Sequence, residues 1–210
     1  MIAVVLCMDA GSVPTVQPLL RSIRRNMPAA TIFLLTDALV EDPLIDRVAV
    51  LPVSAIPRQS GPFARISVHT YYRFFIDVMF PDLERCIYLD YDTLVLSDIS
   101  DLLDGDDWLV KGFSLNSTGY VNAGVLAFNF TAECRRMLAT CRERMSERDD
   151  QTILNEVFMG HISYVGAEYN CLVCGIPMDD VEPKVLHYIG SSKPWRVDRR
   201  ICCWFDYMDD

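Results

Sequence analysis

From Ile2 to Leu89, short apolar runs alternate with segments of helical spacing, an order that few architectures accommodate. Ile2–Met8 and Thr31–Leu35 have strand length, and between them Pro14–Asn26 places Val16, Leu19, Leu20 and Ile23 at helical spacing with arginines in its last turn. That is a β-α-β unit, whose strands lie parallel in one sheet. A third run, Arg47–Leu51, passes through a Pro-rich loop (Pro52, Pro57, Gly61, Pro62) into Ala64–Phe80, predicted as a strongly apolar helix stopped by Pro81. Cys86–Leu89 is predicted as a buried strand, followed by Asp90-Tyr91-Asp92, a strand Thr93–Leu96 and a short helix begun by Ser97 or Asp98. Strands near Trp108–Phe113 and Ala123–Phe130, helices near Ala132–Met145 and Asp150–Phe158, and a final set of shorter strands and loops complete the prediction. The fold class is α/β: a mostly parallel central sheet flanked by helices. Neither an internal repeat nor a linker interrupts it, so residues 1–210 are expected to form a single domain.

The chain has 210 residues, 51% hydrophobic, enough for one substantial core, and its formal charge of -10 would repel a polyanion. Nucleic acid is therefore excluded as a partner. An anionic ligand such as a diphosphate would need its charge met locally by a bound cation and a few placed basic residues. No apolar run is long enough to span a membrane, and Ile2–Met8 meets Asp9 too early for a signal peptide. Without a secretion signal, the eight cysteines are expected as reduced thiols, which implies a cytoplasmic setting. Cys171, Cys174, Cys202 and Cys203 lack the second C-x-x-C of a zinc site. The sequons at Asn116 and Asn129 matter only in a secreted protein.

Asp90 and Asp92 stand two apart directly after an apolar strand, so both carboxylates can turn to one side at its carboxyl end, where open α/β sheets bind ligands. Two converging carboxylates repel unless a cation sits between them, and hard oxygen ligands suit magnesium or manganese. The pattern alone is weak, because 21 aspartates produce about two such pairs by chance. Asp104-Gly105-Asp106 is a second pair, but it lies in a Gly-containing turn and reads as a solvated loop.

Five ordered motifs add to this pair: Thr70-Tyr71-Tyr72-Arg73-Phe74, Ile87-Tyr88-Leu89-Asp90-Tyr91-Asp92-Thr93-Leu94-Val95, Val121-Asn122-Ala123-Gly124-Val125, Asp150-Gln151-Thr152-Ile153-Leu154-Asn155 and His187-Tyr188-Ile189-Gly190-Ser191-Ser192-Lys193-Pro194-Trp195. In this order and spacing the whole chain resembles glycosyltransferase family 8, which includes glycogenin and bacterial lipopolysaccharide galactosyl- and glucosyltransferases. The resemblance implies a single GT-A domain with a Rossmann-like sheet and a smaller C-terminal set of strands and loops. It implies a retaining transferase that moves a hexose, glucose or galactose, from a UDP-sugar donor to a carbohydrate acceptor.

It also implies roles. Asp90, Asp92 and His187 would hold manganese, with magnesium as the alternative. Cys7, Asp9, Arg73, Tyr91, Asn122, Gly124, Asp150, Gln151, Gly190 and Lys193 would bind the nucleotide sugar, and Gln151, Asp150 and Arg73 would serve catalysis. Gly190 would let backbone approach the phosphates and Lys193 would place a point charge on them. Local readings compete for several of these. Arg73, in an apolar helix, could instead snorkel to the surface; Asn122 could be a turn residue, and Asp150 beside Asp149 a helix N-cap. The chain departs from the family after Asp9, where Ala10-Gly11-Ser12-Val13 offers no aromatic ring for a base.

No Asp or Glu nominates itself as a nucleophile, and the amide of Gln151 is a poor one, so same-face attack is the expected route, with Gln151 stabilising positive charge or positioning the sugar. Two other readings of the Asp90 pair are a haloacid-dehalogenase-like phosphatase and a module that binds a nucleotide sugar without turnover. The apolar sequence from Ile201 to Met208 is unlike a free tail, and residues 1–210 are expected to be the donor-binding catalytic domain of a longer protein, with Trp204 and Phe205 packed on the domain or facing a neighbour.

Overall fold

The computed structural model describes residues 1–57, 67–173, 181–196 and 203–208. Its strands are β1 (Ile2–Cys7), β2 (Ala30–Thr36), β3 (Arg47–Val50), β4 (Arg85–Leu89), β5 (Thr93–Val95), β6 (Val110–Ser114), β7 (Val121–Asn129), β8 (Ile162–Val165), β9 (Cys171–Leu172) and β10 (Val185–His187). Its α-helices are α1 (Gln17–Asn26), α2 (Ile76–Met79), α3 (Ala132–Glu143) and α4 (Asp150–Val157). Seven strands form the main sheet in the order β3-β2-β1-β4-β7-β6-β8, and β5-β10-β9 form a smaller one. In the main sheet only β7 runs against its neighbours; β3, β2, β1 and β4 are parallel, and β8 is parallel to β6. The expected mostly parallel sheet and smaller set of strands are both present.

The unbroken apolar character of β1 follows from its position. Side chains alternate between faces, and both faces of this central strand are covered: Ala3, Val5 and Cys7 pack into one core layer with Phe33, Leu35 and Tyr88, while Val4, Leu6 and Met8 pack into the other with Ile32, Leu34 and Leu20 of α1. Each of the Val, Leu, Ile, Phe and Met side chains among these, wholly buried, contributes about 2 kcal/mol. This two-sided burial is why the strand shows no polar alternation.

Three segments differ from expectation. Val68–Phe75 is a 3-10 helix that passes into the single α-turn of α2, so the long helix predicted over Ala64–Phe80 is not formed by its described residues, and 64–66 lie outside them. Tyr71, Tyr72, Arg73 and Phe74 are all buried there, and a segment covered on every side gains nothing from an amphipathic α-period. Ala10–Val16 is likewise 3-10, with Pro14 inside it, and α1 starts only at Gln17 with Pro18 at its first turn. The short helix expected from Ser97 or Asp98 is a 3-10 turn over Ser100–Leu103, and Asp98 Oδ1 accepts the Ser100 N–H at 2.7 Å.

Among the described residues no helix is long and apolar enough to cross a membrane. Among the described residues Cys7, Cys86, Cys134 and Cys141 are buried free thiols, while Cys174 and Cys202 of the cysteine cluster lie outside the described residues. Trp204 is buried edge-to-face against Tyr188 and Trp195, so it packs on the domain.

Candidate active site

The site assembles where β1, β4 and β7 end or begin, at the carboxyl edge of the parallel strands. Asp90 follows β4 directly; its N–H donates to the Gly124 carbonyl of β7 at 2.7 Å, and Thr93 Oγ1 donates back to the Asp90 carbonyl at 2.7 Å, closing the turn that carries Asp92. The small sheet then delivers the third group. β10 pairs antiparallel with β5, setting His187 opposite Thr93, so the imidazole reaches the carboxylates. Nε2 of His187 lies 3.7 Å from Asp90 Oδ2 and 3.4 Å from Asp92 Oδ1, and one ligand atom from each of the three lies within 4.8 Å of the others. Two oxygens and one imidazole nitrogen suit manganese, with magnesium a fit through the oxygens. Gly124 makes room for this arrangement: a methyl group added there would collide with the His187 ring.

Each carboxylate has its own cation. Arg73, only 2% exposed, donates from Nη2 to Asp90 Oδ1 at 3.0 Å, lies 3.1 Å from Asp150 Oδ2, donates from Nη1 to the Ala123 carbonyl and stacks over the Tyr88 ring at 4.5 Å. It does not snorkel. Burial alone would weaken its proton affinity, but Tyr88, Asp90 and Asp150 hold it above the ordinary guanidinium range. Tyr88 donates to the same Asp90 oxygen at 2.5 Å. On the other side, Lys193 Nζ donates to Asp92 Oδ2 and to the Tyr188 carbonyl, the latter at 3.1 Å. Burial acts to raise the Asp92 carboxyl, yet His187 with its ring protonated and Lys193 together hold it below the usual range, so it is ionised at neutral pH.

Asp150 and Gln151 open α4. Asp149 is its N-cap, accepting the Thr152 N–H at 2.9 Å, which leaves Asp150 free to point inward onto Arg73. Burial pushes the Asp150 carboxyl up against the pull of Arg73. Gln151 Oε1 accepts from the Ala123 N–H at 3.0 Å and from Asn122 Nδ2 at 3.2 Å. Asn122 is the second residue of β7, not a turn residue. Asn170 is a member that the sequence did not nominate: fully buried, it bonds to both His187 and Asn122 at 2.9 Å.

Of the remaining candidates, Cys7 and Tyr91 line a cavity of about 140 Å³ together with His69, Tyr88, Asp90 and Lys193, whereas Asp9 and Gly190 are not part of its lining. Cys7 is buried at the end of β1 and its thiol is pushed well up by that burial. Asp9 follows it, accepting from Ser12 Oγ at 2.6 Å. Tyr91 stacks on Trp195 at 5.7 Å with an interplanar angle of 12°. Gly190 has φ of +60°, a left-handed backbone for which glycine suits, and it is the only one of the candidates in that region. Asp104 and Asp106 stay apart from all of this, in the turn between the 3-10 segment and β6.

Comparison with known proteins gives the same direction throughout. The model of the family described as glycosyl transferase family 8 matches residues 4–199. The glycosyltransferase GlyE of Streptococcus pneumoniae is 30% identical over 179 residues, covering 70% of this chain and 43% of GlyE. Glycogenin-1 of Mus musculus is 28% identical over 130 residues, covering 53% of this chain and 37% of glycogenin-1. The chain thus spans less than half the length of these curated relatives. Among solved structures, the galactosyltransferase LgtC in complex with donor and acceptor sugar analogs superposes with a TM-score of 0.77 at 20% identity, covering 98% of this chain and 94% of LgtC, a likeness of fold. With a family match running through nearly every element just described, the chain belongs to glycosyl transferase family 8.

Proposed function

We propose that residues 1–210 form the donor-binding catalytic domain of a retaining glycosyltransferase that moves glucose or galactose from a UDP-sugar to a carbohydrate acceptor, with manganese, or magnesium, held by Asp90, Asp92 and His187. The observation that carries this reading is the meeting of two strand-end carboxylates with an imidazole from a distant strand, beside a buried arginine. Family membership removes the phosphatase reading of the Asp90 pair.

A divalent cation bound there supplies Lewis-acid and electrostatic stabilisation of the leaving diphosphate. The protein's own groups prepare for it. Arg73 and Tyr88 fix Asp90 so that its second oxygen faces His187, and Lys193 places a positive charge at the phosphate side of Asp92. Cys7, Asp9 and Tyr91 line the nucleoside side, Gly190 lets backbone approach the phosphates, and Asn122, Gly124, Asp150 and Gln151 line the sugar side. With both lone pairs of Gln151 Oε1 engaged, the amide NH2 is the group that meets the donor sugar, which favours positioning over nucleophilic attack. The acceptor hydroxyl attacks from the leaving-group face and gives its proton to the departing phosphate.

Release of UDP from UDP-glucose or UDP-galactose, abolished by excess EDTA and restored by manganese, tests the reading. Binding of UDP-sugar without release would instead make the chain a non-catalytic module. Proton NMR of the first product fixes the stereochemistry, and an inverted linkage would remove the retaining assignment.

A further inference from the structure

Four side chains run in one hydrogen-bonded line from His187 to Gln151, and two backbone amides set its direction. The Gly124 N–H, which can only donate, bonds to Asn122 Oδ1 at 2.9 Å. The other end of Asn122 is therefore its NH2, and this donates at 3.2 Å to Gln151 Oε1, which also accepts the Ala123 N–H at 3.0 Å. Asn122 Oδ1 has a second lone pair, taken by Asn170 Nδ2 at 2.9 Å. That orients Asn170 with its oxygen toward His187 Nδ1, 2.9 Å away, where only an N–H can satisfy it. In the neutral ring the proton consequently sits on Nδ1, and the lone pair of Nε2 faces Asp90 and Asp92.

We infer that Asn170 is the positioning residue of this site: its buried amide fixes the His187 tautomer that presents Nε2 as a metal ligand and, through Asn122, couples that choice to the orientation of Gln151. Asn170 has no exposed surface and His187 is 3% exposed, so water does not substitute for either bond. A partner on the non-ligating nitrogen is the general means by which a ligating histidine is held. Here the partner is an amide, which accepts from the ring and donates onward in the same plane, so one residue serves both the metal side and the sugar side.

The inference rests on the metal-dependent transferase reading, but its test does not need turnover. Nitrogen-15 NMR of the three histidine rings in metal-free protein, at a pH where the ring is neutral, reads the His187 tautomer directly. The expected result is an Nδ1–H ring in the native protein; an Nε2–H ring overturns the inference at once. Manganese affinity, measured by the EPR signal of free ion without donor, is then compared across variants. Asn170→Leu removes both bonds and should lower affinity roughly 10- to 100-fold, with a mixed tautomer. Asn170→Asp keeps an acceptor for Nδ1–H but cannot donate to Asn122; affinity should return to within about threefold of native while kcat stays low. A folded Asn170→Leu protein with native tautomer and native affinity would sink the idea. Should the leucine variant fail to fold, the native tautomer and the aspartate variant decide between the same two outcomes. A protein that binds manganese natively but releases no UDP would overturn the proposed function and leave the positioning role standing.

Discussion

Two Asp-x-Asp pairs lie fourteen residues apart, from Asp90 to Asp104, and they share a pattern but no chemistry. Asp90 and Asp92 sit at the carboxyl end of a buried strand, and β10 brings an imidazole and, a few residues on, an ammonium group to them. Asp104 and Asp106 flank Gly105 in a turn where φ is +78°, and the turn is spent on structure: the Trp108 indole donates to the carbonyls of Asp104 and Gly105, and Lys111 to that of Asp104. The Asp106 side chain, 90% exposed, pairs with Arg85. The second pair even borders the roomier hollow, about 740 Å³ against 140 Å³ beside the first. Volume and acidity do not make a site; convergence of groups with complementary demands does.

The sharpest break of this comparison is Asp92→Asn, which removes a ligand oxygen and should lower UDP release about 100-fold or more, whereas Asp106→Asn should leave it within about twofold. Equal losses from the two substitutions would show that the strand-end context carries no function. Gly124→Ala tests whether the first pair depends on the approach of His187. The added methyl group must push the ring away, and we expect roughly tenfold weaker manganese binding with a smaller metal-induced rise in Tm. An unchanged metal response would mean that the ring does not need that space. Lys193→Met separates the cation from the carboxylate it touches. UDP affinity should fall about tenfold through loss of a charged donor, while manganese alone should bind a few-fold more tightly, because a positive charge beside Asp92 has gone. Calorimetry with each ligand singly reads both signs, and a parallel loss of both affinities would refute the arrangement. The smallest effect is reserved for the turn: Asp106→Asn should shift Tm by less than about 1 °C, as an exposed ion pair contributes little.

The sequence revealed the half of the fold in which physics leaves a local trace. β1, β2 and β4 are legible because strands buried on both faces must be apolar throughout, and α1 because it buries one stripe. Val68–Phe75 was not legible as a 3-10 helix, since Tyr71, Tyr72, Arg73 and Phe74 are four consecutive buried residues and such a run has no period to read. The reversal of β7 left no mark either: an antiparallel strand covered on both faces has the same apolar composition as a parallel one. In the site, Asp90 and Asp92 were visible from strand context, while His187, Arg73, Asn122, Asp150 and Gln151 emerged only through family-like motifs. Asn170 was invisible, because nothing in Glu168-Tyr169-Asn170 distinguishes it and its partners, Asn122 and His187, are far along the chain.

That distance has a consequence in time. The contact between Lys193 and Asp92 spans 101 residues, and β10 is among the last described strands to be made. At the usual pace of translation the carboxylate pair leaves the ribosome on the order of 5 to 20 s before the segment that completes it. During that interval the growing chain carries Asp90 and Asp92 without imidazole or ammonium, a poor trap for any ion. A metal held by Asp90, Asp92 and His187 would therefore not template the early sheet; it would reward the docking of β10 between β5 and β9, a seal on that docking instead of a nucleus for the sheet.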